Sequence, residues 1–189
     1  MNRTWKTGLA ALALASLPLV SACSDAGSDD KSAIATKDDG TTTLASALGN
    51  NDDLDVLRDA MEESELSGVL DGPASYTLLA PSDEAFEAMG DSGKALLDDE
   101  QRPVLVALIR DHLLPGHLTP EAIGEAIDKK GGPVIMTTLG HTDVTFSKSG
   151  NTVNVALADG GKANFSGAAT ATNNGVVIPI DAVLLPPKG

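Results

Sequence analysis

Apolar positions recur at helical spacing through the first half of this chain and at strand spacing through the second. In "TTTLASALGN" a threonine precedes Leu44 and Leu48, four apart, which predicts a short capped helix. "NDDLDVLRDAMEESELSGVL" puts Leu54, Leu57 and Met61 on one helical face, with Asp52 or Asp53 as the cap. "DGP" breaks that helix, and "SYTLLA" follows as a short apolar strand. "PSDEAFEAM" predicts a helix with Phe86 and Met89 inward. A short helix at "KALLDDE" leads to a nearly all-apolar one from about Pro103 to Leu113, which the pattern predicts to be buried on most sides. "LTPEAIGEAIDKKGG" has Thr119 as cap, Pro120 at the first helical position and Gly131 as the stop. From Pro133 onward, short strand runs alternate with turns at Ser149–Asn151, Asp159–Gly161 and Asn174–Gly175. Helices first and strands second indicate an α+β domain without internal repeats.

Within "PSDEAFEAM", Asp83 and Glu84 stand in the first turn of the helix. Ser82 occupies the N-cap position, and the positive end of the helix dipole stabilises carboxylates there by roughly 0.3–1 kcal/mol each. Acid–base catalysis needs a histidine or second carboxylate on another element, and no spacing supplies one. The pair therefore reads as capping.

The N-terminal 22 residues do not continue this pattern. Arg3 and Lys6 precede the apolar run "LAALALASLPLV", which is too short for a confident membrane span. "VSAC" follows and holds Cys23, the only cysteine. A lone cysteine after an apolar run and two small residues resembles the lipobox of bacterial lipoproteins. That resemblance implies a signal peptide over 1–22, cleavage before Cys23, and acylation of its thiol and new amino terminus by chains such as palmitate. The protein would then sit in the bacterial cell envelope, bound to a membrane through Cys23. Ser24, where retention on an inner membrane would favour aspartate, points to the outer membrane where one exists. Residues 23–42 are small, polar and charged, and read as a flexible acidic tether. The folded domain is expected over 43–187.

Charge and composition narrow the function classes. The chain has 27 acids against 13 bases, a formal charge of −14. Removing 1–22 takes away two bases and no acid. Such a surface repels nucleic acid and anionic lipid, and its plainest role is solubility. Beyond residue 22 the aromatics are Tyr76, Phe86, Phe146 and Phe165, all in apolar contexts, so a stacking platform for sugars or single-stranded nucleic acid is not expected.

Three segments together resemble fasciclin-like domains. "YTLLAPSDEAFEAM" is similar to the family's strand followed by an Ala-Pro-(Ser/Thr)-Asp-x-Ala-Phe helix start. "LIRDHLLPG" is similar to its central helix, which ends in histidine, an apolar pair and Pro-Gly. "NNGVVIPIDAVLLP" is similar to its closing strand and Ile-Asp-x-Val-Leu-x-Pro. The segments come in the family's order and span about Thr43 to Pro186. The resemblance implies a β-sandwich wedge with several helices packed around it, and adhesion or protein contact as its role. Two positions depart from the family pattern. The central segment usually carries Tyr-His, a pair linked with integrin adhesion in animal members, and here it is Asp111-His112. The closing segment usually has a histidine three residues after the glycine, and here that place is Ile178, followed by Pro179. A proline inside that strand predicts an edge or a bulge.

The remaining candidates point away from chemistry. His112 and His117 are five apart across Pro115-Gly116, which is not the spacing of a helical metal pair; His141 is the third histidine. "NNDDLD" and "KDDG" lack the pattern of a calcium loop. No phosphate loop or nucleophile elbow occurs. The sequence thus calls for no catalytic residue, metal or cofactor. It predicts a membrane-anchored, non-enzymatic domain for adhesion or protein–protein contact, through the surface around Asp111 and His112, with Asp111 facing solvent and His112 mainly structural. The alternative is a binding protein for a small apolar ligand, a pigment or lipid, in a groove between helices and sandwich.

Overall fold

The structure is a computed structural model and describes residues 35–158 and 160–186. The leader over 1–22, Cys23 and the tether up to residue 34 lie outside the described residues, as do Asp159 and the last three positions.

Two sheets and a layer of helices make up the fold. The first sheet has the order β1-β8-β9-β2-β3. Its strands are β1 (Thr36–Asp39), β2 (Tyr76–Pro81), β3 (Leu113–Pro115), β8 (Ala169–Thr172) and β9 (Gly175–Ile180). The second is a meander, β4 (Val134–Thr137), β5 (Asp143–Ser149), β6 (Thr152–Leu157) and β7 (Lys162–Asn164). The central strands β2 and β9 run parallel, from Tyr76 opposite Gly175 to Pro81 opposite Ile180. Both faces of this pair are covered. Leu78, Ala80 and Val177 point into the helical layer, while Leu79, Val176, Ile178 and Ile180 point toward the second sheet. Strands buried on both faces carry near-continuous apolar runs, which explains "YTLLAP", with Thr77 its one buried polar side chain, and "GVVIPI". Phe146 and Phe165 meet edge to face in that second core, with ring centroids 6.0 Å apart.

The helices are α1 (Leu44–Gly49), α2 (Asp55–Glu63), α3 (Ser67–Leu70), α4 (Asp83–Glu87), α5 (Asp91–Ala95), α6 (Arg102–Asp111) and α7 (Pro120–Lys130). Helices α1, α2, α4 and α6 bury Leu44, Leu57, Met61, Phe86, Leu105 and Ile109 in the core beside the first sheet. Helix α7 instead lays Ile123 and Ile127 on the sandwich core. Thr43, Ser82 and Thr119 cap their helices as expected, each hydroxyl accepting a backbone N–H at 3.2 Å. Gly131 closes α7 at φ 69°, in the left-handed region.

Several expectations change. Strand β1 lies inside the segment expected to be tether, and pairs in parallel with β8 from Thr36–Ala169 to Asp39–Thr172. Its burial gives no alternation, because the pairing uses backbone alone at an edge. Neither Asp52 nor Asp53 caps α2; Asn51 caps a 3-10 turn at Asp52–Leu54, and α2 starts behind Leu54 without a local side-chain cap. Helix α6 is not buried on most sides, since Val104 is 52% exposed and only Leu105, Leu108 and Ile109 are fully covered. The chain then leaves the helix and adds β3 to the sheet at Leu113. Strand β9 is central rather than an edge. Pro179 fits because β8 pairing ends at Val177, so its missing N–H interrupts no ladder on that side. The β8–β9 turn is Asn173-Asn174, with Gly175 already the first residue of β9.

Candidate functional site

The residues that carry the family resemblance are tied to distant backbone. Asp83 does more than sit at the start of α4. Its Oδ1 accepts the N–H of Val56 at 2.9 Å, in the first turn of α2. Helix α2 has no local side-chain cap, so a carboxylate 27 residues away supplies one. Glu84 is exposed in the first turn of α4.

His112 is 2% exposed. Its Nδ1 lies 2.8 Å from the Leu108 carbonyl oxygen, and its Nε2 accepts the N–H of Leu184 at 3.0 Å. These contacts select the neutral tautomer with the proton on Nδ1. Burial pushes the imidazole pKa down, outweighing the Leu108 carbonyl and the charge of Asp111, which favour the proton. The ring thus pins the end of α6 to the closing segment and presents no free polar atom.

Asp111 is not solvent-facing as expected. It is half-buried under the β4–β5 turn, where its Oδ1 accepts from the Thr138 hydroxyl at 3.2 Å. A Cβ at Gly140 would collide with this carboxylate, so the turn closes over it only because residue 140 is glycine. Both residues are adjacent at the end of α6, Asp111 half-buried and His112 enclosed in the structural position expected of it.

The closing segment repeats this logic. Asn174 receives the Leu44 N–H at 2.8 Å and donates from Nδ2 to the carbonyls of Leu70 at 2.7 Å and Gly72 at 3.1 Å. One side chain thereby joins the start of α1, the end of α3 and the β8–β9 turn. Gly175 is obligatory, because an added Cβ would strike the Tyr76 carbonyl and the Leu44 side chain. Asp181 takes the backbone and side-chain N–H groups of Asn164, both at 2.7 Å. Buried Thr77 donates to the Gly116 carbonyl and accepts from Leu118 N–H, fixing the loop after β3. Sequence reasoning passed over Asn174 as a turn former and did not weigh Thr77 at all. Their partners are 39 to 130 residues away, and no local pattern signals them.

Concavities open on the surface of the described residues. A cleft of about 620 Å³ is lined by Lys37 and Asp39 of β1, Asn51, Asp53, Glu84 and Pro179, among others. An apolar groove of about 380 Å³ runs between Val56, Phe86, Gly90 and Leu97, with Glu87 and Lys94 on its lining. His117 approaches the Thr172 carbonyl at 3.2 Å, and His141 sits at φ 65° in the β4–β5 turn. Among the described residues, no three His, Cys, Asp or Glu side chains converge to hold a metal, and no helix is long and apolar enough to cross a membrane.

Comparison with known proteins agrees with this architecture. The Fasciclin domain family matches residues 52–186. The chain is 30% identical over 147 residues to transforming growth factor-beta-induced protein ig-h3 of Sus scrofa, covering 77% of this chain and one fifth (20%) of that protein's length. It is 28% identical over 161 residues to Protein sll1483 of Synechocystis sp., covering 84% of this chain and 82% of that one. A solved FAS1 domain pair from the insect cell adhesion molecule fasciclin I superposes with a TM-score of 0.68 at 16% identity, over 78% of this chain and 52% of the pair. With the match running from the turn ahead of α2 through the closing strand, the chain belongs to the fasciclin domain family.

Proposed function

We propose that this fasciclin domain is a non-enzymatic interaction module, held at a bacterial envelope by lipid on Cys23 and contacting another protein or cell-surface component. The observation that carries the reading is where the signature side chains spend their polar atoms. Asp83, His112, Asn174 and Asp181 are each bonded to backbone on another element. A catalytic group needs a free lone pair or a labile proton facing a substrate; His112 has both ring nitrogens engaged in the core and Asn174 is buried among backbone partners, so neither offers one. They build a rigid frame, which leaves exposed loops and edges as contact surfaces. The insect relative is a cell adhesion molecule, a role of the same character. The region around Asp111 is one such surface, formed by the end of α6 and the β4–β5 turn. Cross-linking in intact envelopes, followed by mass spectrometry, tests the reading: the expected result is a discrete partner cross-linked to the domain. Recovery of the protein as a turnover catalyst, or free of contacts in its native envelope, refutes it.

The apolar groove at Val56, Phe86 and Leu97 favours a second reading, a carrier of a small apolar ligand. Organic extraction of protein purified from its native host separates the two. A stoichiometric lipid or chromophore supports the carrier, and an empty extract supports the contact module.

A further inference from the structure

The two sheets expose four edge strands, and three are guarded. Strand β1 carries Lys37, Asp38 and Asp39 on an exposed edge. Strand β3 is three residues long, ends in Pro115, and its Leu113 carbonyl takes the N–H of Leu139. Strand β7 is three residues with Lys162, and Asp181 ties down Asn164. Charge, proline, shortness and cover are the usual means of keeping an edge from pairing. Strand β4, "VIMT", carries no charge or proline within its span, and among the described residues its only paired strand is β5. Ile135 on this strand is 60% exposed, the most exposed large apolar side chain described.

The charges beside β4 are polarised along it. Lys129 and Lys130, both exposed, end α7 just before the strand, and neither forms an ion pair among the described residues. Asp128 is instead taken by Lys148 at 2.7 Å. At the other end, exposed Asp143 faces Thr137 across the β4–β5 ladder. The strand is thus positive at its start and negative at its end. Two copies of such a strand laid antiparallel place each positive end against the partner's negative end. They also put Ile135 of one copy beside Ile135 of the other, a β-branched cross-strand pair.

We propose that β4 is a self-association edge, pairing antiparallel with β4 of a second copy about a two-fold axis to join two four-stranded sheets into one of eight. The geometry is isologous, so it closes at two copies and does not propagate. Four residues per strand make a small interface, well under the roughly 1,600 Å² of stable complexes, and the acidic surfaces of the two copies repel. The contact is therefore weak in dilute solution and strengthens when tethering concentrates copies on one membrane. A second copy of this chain is then a partner for the interaction module, a step that rests on that reading.

Sedimentation equilibrium of the full-length chain, produced without lipid modification, tests it. Expected are a monomer–dimer equilibrium, and dissociation constants at least about tenfold weaker for Ile135→Lys and for Ile135→Thr, which keeps strand propensity. Lys129→Glu/Lys130→Glu and Asp143→Lys chains should each fail to self-associate, because each sets like charges together at both ends. Mixed with one another, they should form a heterodimer. Thermal unfolding of each variant confirms that the fold persists. A wild-type chain that stays monomeric at millimolar concentration, Ile135 variants that dimerise like wild type, or a mixture that stays monomeric overturns the proposal. If envelope cross-links to other proteins survive that outcome, the contact-module reading stands without it.

Discussion

Asp83 and His112 show how a single residue here acts over distance. Replacing Asp83 by alanine leaves the Val56 N–H of α2 without its acceptor, while Ser82 continues to cap α4. Loss of a cap costs about 1 kcal/mol, so Asp83→Ala should lower the denaturant midpoint by that equivalent, with hydrogen exchange quickening in the first turn of α2 rather than of α4. Faster exchange confined to α4 would return Asp83 to its sequence role. His112→Ala should cost more, about 3 kcal/mol, since it opens a cavity and leaves the Leu184 N–H and Leu108 carbonyl unpaired. The depressed pKa of His112 also has a pH signature. Above its ordinary value of 6.5, folded and unfolded states are both neutral and the stability is full. As pH falls below 6.5, the unfolded chain takes up the proton and the folded one does not, so stability declines until the folded-state pKa is passed. Denaturation at about pH 7.5 and about pH 5.5, on either side of that value, should therefore show a smaller decline in His112→Gln than in wild type. Equal declines in the two would place the titration elsewhere.

Among the elements, β1 is an exposed edge strand of the first sheet. Apart from its ladder with β8, it is fastened by Glu121 of α7, whose carboxylate accepts from the Thr36 backbone N–H at 3.1 Å and from its hydroxyl at 2.7 Å. Partial burial raises the Glu121 pKa, but hydrogen bonds from Thr36, its own amide and Thr119 outweigh burial and hold it below the ordinary 4.5. The sign follows: the clasp contributes above pH 4.5 and is lost as pH falls through the lower folded-state value. Glu121→Gln should release amide protection over 36–39 while the global melting temperature moves little, because β1 buries almost no apolar surface. A large drop in melting temperature would instead make β1 part of the cooperative core. Its release would also open one wall of the 620 Å³ cleft, which Lys37 and Asp39 line.

For the whole molecule, location is the governing question. An acidic domain is repelled by anionic lipid, so charge attraction would not hold it at a membrane. A covalent lipid would, and stable anchoring takes two acyl signals, which the acylation proposed at Cys23 would supply. Cys23→Ser should therefore move the protein from the membrane fraction to the soluble one, with residues 1–22 retained or cut elsewhere. Intact mass of the native protein should show their loss plus acyl mass. An unmodified thiol in membrane-bound native protein would end the lipoprotein reading.

What the sequence determined by itself were features set within a few residues. Helix starts at Thr43, Ser82 and Thr119, the stop at Gly131 and the meander from β4 to β7 were legible, because caps, turns and alternation act over one or two turns of chain. The family order of its three segments also fixed the two-sheet architecture. Tertiary structure decided what depends on partners far away in the chain. It recruited β1 from a polar segment, since an edge strand needs only backbone and a vacant neighbour. It put Pro179 in a central strand at the point where β8 has ended. It turned Asp111 partly inward beneath Gly140, although the sequence predicts that this residue faces solvent. It gave Asp83, His112 and Asn174 their partners, for a hydrogen bond across 27, 72 or 130 residues leaves no periodic trace in the chain that forms it.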